Sequence, residues 1–451
     1  MIPTPPTLPS RGLRRDVRAA GAAALLVVAS ALAGRRIEDT SRTLFVDWPP
    51  LLASWEPHLG PGTPAAVLVA VATVAYGPAL AARLPWRALL PAVWGTATVW
   101  ILSLALVDGW HRGIAGRLTT RHEYLRVIDR FDDIPAALRG FTGHILLDSP
   151  DNWPAHVAGH PPAATLTFVL LDRIGLRGGG WAGMWCIVVG ATACVAVLVA
   201  IRALAAEALA RRAAPFLVLA PAAVWMGTSA DAYFAAVAAW AVAFAALAVT
   251  RRSPGWAAAS GLLLGLTCYL SYGLTLFALI VAAVLVLGRR GVRERPVLPA
   301  ALLAGLAVVP TVFTLAGFDW WEAYRLLVTR YGQGAGGIRP YGYWVWADLA
   351  CAVLVTGLAT VAGLRRTAAV PVRHRTGPRA DLRLAFVVCA ALAALLVADL
   401  SGMSKAETER IWLPFALWLL PACAFLTSPR LWLAAQALLA LLLNHLLFTG
   451  W

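Results

Sequence analysis

Side chains able to do chemistry gather in a few short stretches of this chain. Residues 108–160 carry Asp108, His111, Glu123, Asp129, Asp132, Asp133, His144, Asp148, Asp151, His156 and His160. A carboxylate held beside a reacting hydroxyl can act as a general base, and any carboxylate of this stretch is of the right chemical type. For each the alternative is a solvated charge. His156 and His160 are four residues apart, a spacing that binds zinc when both lie on one helix, but Gly159 and Pro161-Pro162 oppose a continuous helix there. His160 is expected instead beside the N-terminus of the next helix, where an anion is favoured. Ser229-Ala230-Asp231 opens an apolar segment, so Asp231 is either a site residue or a plain helix cap.

Residues 402–414 pack Lys405, Glu407, Glu409 and Arg410 against the start of another apolar run. Pairing among them explains their tolerance at a membrane edge, and Lys405 with Arg410 would equally suit a phosphate. Residues 317–344 add Arg339 and Tyr341, together with Trp320, Trp321, Tyr324, Tyr331, Tyr343 and Trp344. These aromatics are expected to form an interfacial belt, some of them able to stack on sugar rings, and Gly332–Gly337 reads as a flexible stretch suited to closing on a ligand.

The elements that must position these groups are membrane helices. Of 451 residues, 60% are apolar and 14% charged, against about 45–50% and about 25% in a soluble domain. Apolar runs long enough to approach a span of about 20 residues fall near 17–34, 64–83, 88–107, 161–176, 181–201, 213–229, 231–250, 255–271, 273–288, 297–316, 345–363, 384–400, 411–427 and 431–449. The expectation is an all-α, polytopic transmembrane bundle of about 13 helices, forming one integral membrane domain over 1–451. Arg11, Arg14, Arg15 and Arg18, with the later clusters at 251–252, 289–295 and 365–383, put the N-terminus in the cytoplasm.

Three loops follow from that orientation: an external acidic loop at 108–160, an external aromatic loop at 317–344, and a flexible cytoplasmic basic loop at 364–383. The basic stretch 202–212 counts as external from the N-terminus and internal from Arg251, so one segment between 161 and 229 fails to cross; 161–176 and 213–229 are the candidates. Ala31-Leu32-Ala33 mimics a signal-cleavage site, but an uncleaved helix suits a polytopic chain.

The formal net charge of +15 lies in clusters between apolar runs, as topology requires, and does not form a nucleic-acid-binding face. No phosphate-binding glycine motif occurs. The six cysteines lack metal-ligand spacing and read as small buried hydrophobes. Residues 123–141, EYLRVIDRFDDIPAALRGF, repeat apolar positions at helical spacing, predicting an amphipathic helix on the membrane surface with Glu123, Arg130, Asp133 and Arg139 turned away from it.

The order HEYL at 122–125, GHPPAATL at 159–166, APAAVWMGTSAD at 220–231 and SGMSKAETERIWLPF at 401–415 resembles the GT-C class of polyprenyl-phosphate-dependent glycosyltransferases, within it the actinobacterial sub-group that includes the lipoglycan methylthioxylosyltransferase. The resemblance implies a sugar donor linked to polyprenyl phosphate, a cell-envelope glycan or glycolipid acceptor, and an extracytoplasmic active site. It implies a carboxylate base in the first external loop and cations on the leaving phosphate, for which Arg410, Lys405 and Arg339 are available. Members commonly carry an acidic pair at the start of that loop, whereas here Glu123 follows His122, so Asp132 and Asp133 stay beside it. Some members use a divalent ion, and that point stays open. A transporter or lipid-linked sugar flippase is the competing class. It predicts inverted repeats and polar groups near mid-membrane, whereas the charges here gather in external loops. A purely structural partner of another envelope enzyme leaves the acidic loop unexplained.

Overall fold

The computed structural model describes residues 11–373 and 379–450. Among them, seven helices are long and apolar enough to cross a membrane: Gly12–Ser41, Thr63–Arg83, Trp86–Asp108, Gly178–Leu204, Ala230–Arg251, Val297–Leu315 and Arg379–Leu400. Shorter apolar helices occupy Pro254–Leu270, Tyr272–Leu287 and Leu413–Phe425. The protein is a polytopic helical membrane protein with a single two-stranded sheet among the described residues, β1 (Ala53–Trp55) pairing antiparallel with β2 (Leu447–Thr449).

The count of about 13 crossings resolves into fewer uninterrupted helices, for local reasons. Residues 345–363, expected as one span, are two helices, Tyr341–Thr356 and Leu358–Pro371, bent by 104°. The bend sits at Gly357, whose φ of 81° suits a residue without a Cβ. A Cβ there would collide with Gln436 Oε1, and Gln436 Nε2 donates to the Thr356 carbonyl at 2.8 Å, satisfying a group the break releases. Both segments singled out between 161 and 229 are short. Residues 161–176 form only Ala163–Arg173, and 213–229 divides into Glu207–Val218 and Ala223–Met226 around Pro221.

The centre of the bundle is built from small residues. Ala230–Arg251 has 89% of its apolar window buried, and Gly190 on the neighbouring helix packs directly on Ala232. Close approach of this kind drives helix association in lipid, where water expulsion does not. At the end bearing the N-terminal arginines, Asp16 is fully buried and held by Arg365 and Arg366, tying the first helix to the bent pair. The expected loop 364–383 is helical as far as Arg373 and again from Arg379, while 374–378 lies outside the described residues.

Residues 108–160 fold as a compact cap of short helical turns. The continuous amphipathic helix predicted over 123–141 is broken: Tyr124–Phe131 is 3-10, and Asp133 caps a separate helix, Ile134–Gly140, by accepting from Ala136 N at 3.0 Å. Its apolar positions Tyr124, Val127, Phe131, Leu138 and Phe141 are buried within the protein and are not laid on lipid. Trp153 sits between Phe131 and Phe141, with Arg130 over its ring at 3.6 Å. From the aromatic segment, Arg330 donates to the Ile145 and Trp153 carbonyls. In that segment Gly336 lies against the Tyr331 ring with no room for a Cβ, and the expected flexible stretch is taken up by the end of Trp320–Gln333 and the short helix Ala335–Ile338.

Candidate active site

Four distant stretches meet at a chain of charged groups. Glu123 leads into the 3-10 turn Tyr124–Phe131, and its Oε1 lies 2.8 Å from His156 Nδ1 on the short helix Ala155–Gly159. His156 Nε2 lies 3.2 Å from Arg410 Nη2. A guanidinium only donates, so Nε2 is the acceptor and the ring proton sits on Nδ1, donated to Glu123. Arg410 Nη1 donates to Asp231 Oδ2 at 2.6 Å and Nη2 to Glu407 Oε2 at 3.0 Å.

Local structure aims each of these groups. Ser229 caps the helix Ala230–Arg251 and its hydroxyl also donates to Asp231 Oδ2 at 2.9 Å. Ser229, and not Asp231, is therefore the cap, which frees Asp231 to face Arg410. Ala406 and Glu407 both adopt left-handed backbone, φ 68° and 63°, a conformation that costs about 1–3 kcal/mol per non-glycine residue and gathers at functional sites. It turns Glu407 and Arg410 toward the same point. Burial alone would lower the Arg410 pKa, but Asp231, Glu407 and Glu123 outweigh it and raise it, leaving a permanent cation. Burial alone would likewise raise the Glu407 carboxyl, yet Arg410, His156 and Arg339 hold it below its ordinary range.

Beside this chain lies a cavity of about 10 Å³, room for about one water molecule, lined by Arg117, Glu123, Tyr124, His156, Thr228, Ser229, Ala230, Arg410 and Gly450. Glu123 Oε2 is buried and has no hydrogen-bond partner. A buried carboxylate oxygen without a donor is costly, and the residue that carries this one lines the cavity. His160 adjoins through Tyr124, whose hydroxyl lies 3.1 Å from Nδ1, and the His156 carbonyl lies 2.7 Å from the same nitrogen. Burial pushes the His160 pKa down to about 4, so the half-buried ring is neutral at pH 7 in its place before the helix Ala163–Arg173.

The remaining candidates stand apart from the cavity. Asp132 and Asp133 are exposed, and Asp133 is spent on its cap. Glu409 is fully buried and accepts from Leu52 N at 3.1 Å. Lys405 Nζ donates to the Gly336 carbonyl, and Arg339 to the carbonyls of Leu44 and Lys405. Tyr341 is 43% exposed and bonds the Leu400 carbonyl. These four tie the 401–410 segment and its neighbours together.

Arg117 was not legible in the sequence. It is buried, its Nη1 donating to the Thr449 carbonyl of β2 at 2.8 Å and its Nη2 to Asp108 at 3.4 Å. Burial lowers its pKa to about 10, which leaves it charged at neutral pH. No sequence signal distinguishes it from the arginines that set topology.

Among the described residues no three His, Cys, Asp or Glu side chains converge as a metal-ligand set. The donor chemistry agrees, since Asp231 and Glu407 are committed to Arg410 and Glu123 Oε1 to His156.

No family model and no curated protein matches the chain. Its solved structural neighbours include the oligosaccharyltransferase of Archaeoglobus fulgidus in the apo form, with a TM-score of 0.41 and 13% identity over 74% of this chain and 50% of that one. ArnT from Cupriavidus metallidurans in the apo state gives a TM-score of 0.44 and 17% identity over 77% and 61%. The chain therefore spans about half the length of the oligosaccharyltransferase it aligns with.

Proposed function

We propose that this protein is a membrane glycosyltransferase that moves a sugar from a polyprenyl-phosphate donor to a cell-envelope glycan or glycolipid on the extracytoplasmic side. The observation that carries the proposal is the unpartnered, buried Glu123 Oε2 in a cavity shared with a guanidinium. The HEYL and ETERIWLP motifs supply Glu123 and Arg410, which line that cavity with His156, while Asp231 of MGTSAD pairs with Arg410 and His160 of GHPP adjoins through Tyr124.

In this mechanism Glu123 Oε2 takes the proton from the acceptor hydroxyl as that oxygen attacks the anomeric carbon, and the bond from that carbon to the phosphate oxygen breaks with inversion. The electron pair leaves with the polyprenyl phosphate. His156 holds Glu123 in place through Oε1, so the reactive oxygen keeps one orientation. Arg410, fixed by Asp231 and Glu407, holds His156 behind the base, and the positive charge around the cavity favours departure of the phosphate. A cavity this tight must widen to admit the two substrates, and Gly450, following β2, forms part of its wall.

The test is reconstitution of the purified chain with polyprenyl monophosphates labelled in the sugar and with envelope glycolipid acceptors. Label transferred by the wild type and not by E123Q supports the assignment. Failure to transfer from a panel of pentosyl and hexosyl donors, under conditions where the protein stays folded, would remove it.

A further inference from the structure

Two guanidinium groups line the cavity, and their charges are compensated very differently. Arg410 has carboxylate oxygens at 2.6 and 3.0 Å. Arg117, only 8% exposed, is paired with the Asp108 carboxylate at the longer distance of 3.4 Å. That carboxylate also faces His58 Nε2 at 3.1 Å and Arg112 Nε at 3.7 Å, although Arg112 is held chiefly by Glu56, at 2.6 Å from its Nη1. Arg117 Nη1 is taken by the Thr449 carbonyl, and the guanidinium lies 4.8 Å from the Phe448 ring centroid, with Arg112 at 3.5 Å from the same ring. Its Nε is buried and has no acceptor. An under-compensated buried cation with an idle N–H, on the wall of the cavity that also holds the candidate base, is suited to an anion.

We propose that Arg117 is the residue that binds the phosphate of the lipid-linked donor, using its Nε–H, while β2 positions it through the Thr449 carbonyl and the Phe448 ring. Arg410, already paired twice, organises the carboxylates; Arg117 supplies the uncommitted positive charge. The identity of the anion rests on the glycosyltransferase assignment above, but the anion site itself rests on the compensation of Arg117. It also gives the β1–β2 pairing a role, because the strand that closes the sheet is the one that orients the phosphate contact.

The test measures binding and needs no turnover. The full chain in nanodiscs of zwitterionic lipid is titrated with a polyprenyl monophosphate and, in parallel, with the same polyprenol lacking phosphate; the preference for the phosphate is the readout. R117Q is expected to lose about tenfold or more of that preference, while E123Q keeps at least the wild-type preference although it cannot transfer sugar. Should R117Q fail to fold, D108N decides. It leaves Arg117 less compensated, so phosphate binding should tighten severalfold, a change of sign that a purely structural role for Arg117 does not produce. A wild-type preference in R117Q, or unchanged or weaker binding in D108N, overturns the Arg117 proposal and leaves the transferase assignment standing. No preference in the wild type overturns both.

Discussion

Replacing Glu123 by glutamine changes one property of the site and little else. Gln keeps the volume, and its carbonyl oxygen remains available to His156 Nδ1–H, which now lies 2.8 Å from Oε1. The amide nitrogen takes the place of Oε2, the oxygen without a partner, and cannot accept a proton. Loss of a general base lowers rate by about 10²–10⁴-fold, equivalent to about 2.7–5.4 kcal/mol on the barrier. The cost to stability is far smaller, about 1 kcal/mol for turning one charge-assisted hydrogen bond into a neutral one. Single-turnover transfer of labelled sugar, run beside thermal unfolding in detergent, separates the two effects. E123Q is expected to melt close to the wild type and to transfer at least about a hundredfold more slowly. Transfer at the wild-type rate by folded E123Q would refute the assignment of Oε2 as the base.

Three further outcomes follow from the same geometry. D231N leaves the buried Arg410 guanidinium without its shortest carboxylate contact, and breaking a buried pair in this way costs about 3–5 kcal/mol; the unfolding midpoint in detergent should fall sharply, and R410Q added to D231N should recover part of the loss. Asp133→Asn keeps a capping oxygen and should leave both stability and transfer unchanged, whereas Asp133→Ala should cost about 1 kcal/mol with transfer intact; a collapse of transfer in Asp133→Asn would return Asp133 to the catalytic candidates. His160 has its pKa lowered to about 4 by burial, against about 6.5 in an unfolded chain, so between those values the unfolded state binds more protons. Stability should therefore fall as pH drops from about 6.5 toward about 4. H160Q should flatten that part of the stability curve, and an unchanged slope would show that other groups set it.

Much of the membrane architecture was legible because hydropathy is a local signal: each of the seven long helices corresponds to an apolar run in the sequence. Interruptions were less legible. The bend at Gly357 depends on Gln436 arriving from 79 residues away, and nothing within 345–363 announces that partner. Periodicity also misled at 123–141, where the apolar spacing is genuine but serves a folded cap, with Asp133 starting a new helix in mid-pattern. The short motifs supplied the types of residue in the site, and the pairing of Arg410 with Asp231 and Glu407 is tertiary information that they do not contain. Lys405, Arg339 and Tyr341 attracted attention by their charge and aromaticity, yet their polar atoms serve backbone carbonyls. Arg117 shows the converse, a functional candidate hidden among arginines that orient the helices.

Sidedness is the most direct check, because a lipid-linked sugar on the outer leaflet reaches Glu123 only if the cap over residues 108–160 faces outward. Asp148 in that cap and Arg290 at the opposite basic cluster are both exposed. Each is replaced singly by cysteine in a chain whose exposed Cys389 has been changed to serine. In intact cells a membrane-impermeant thiol reagent should label the cysteine at 148, and the one at 290 only after permeabilisation. Labelling in the reverse order would put the Glu123–His156–Arg410 cluster on the cytoplasmic side and contradict the proposed reaction.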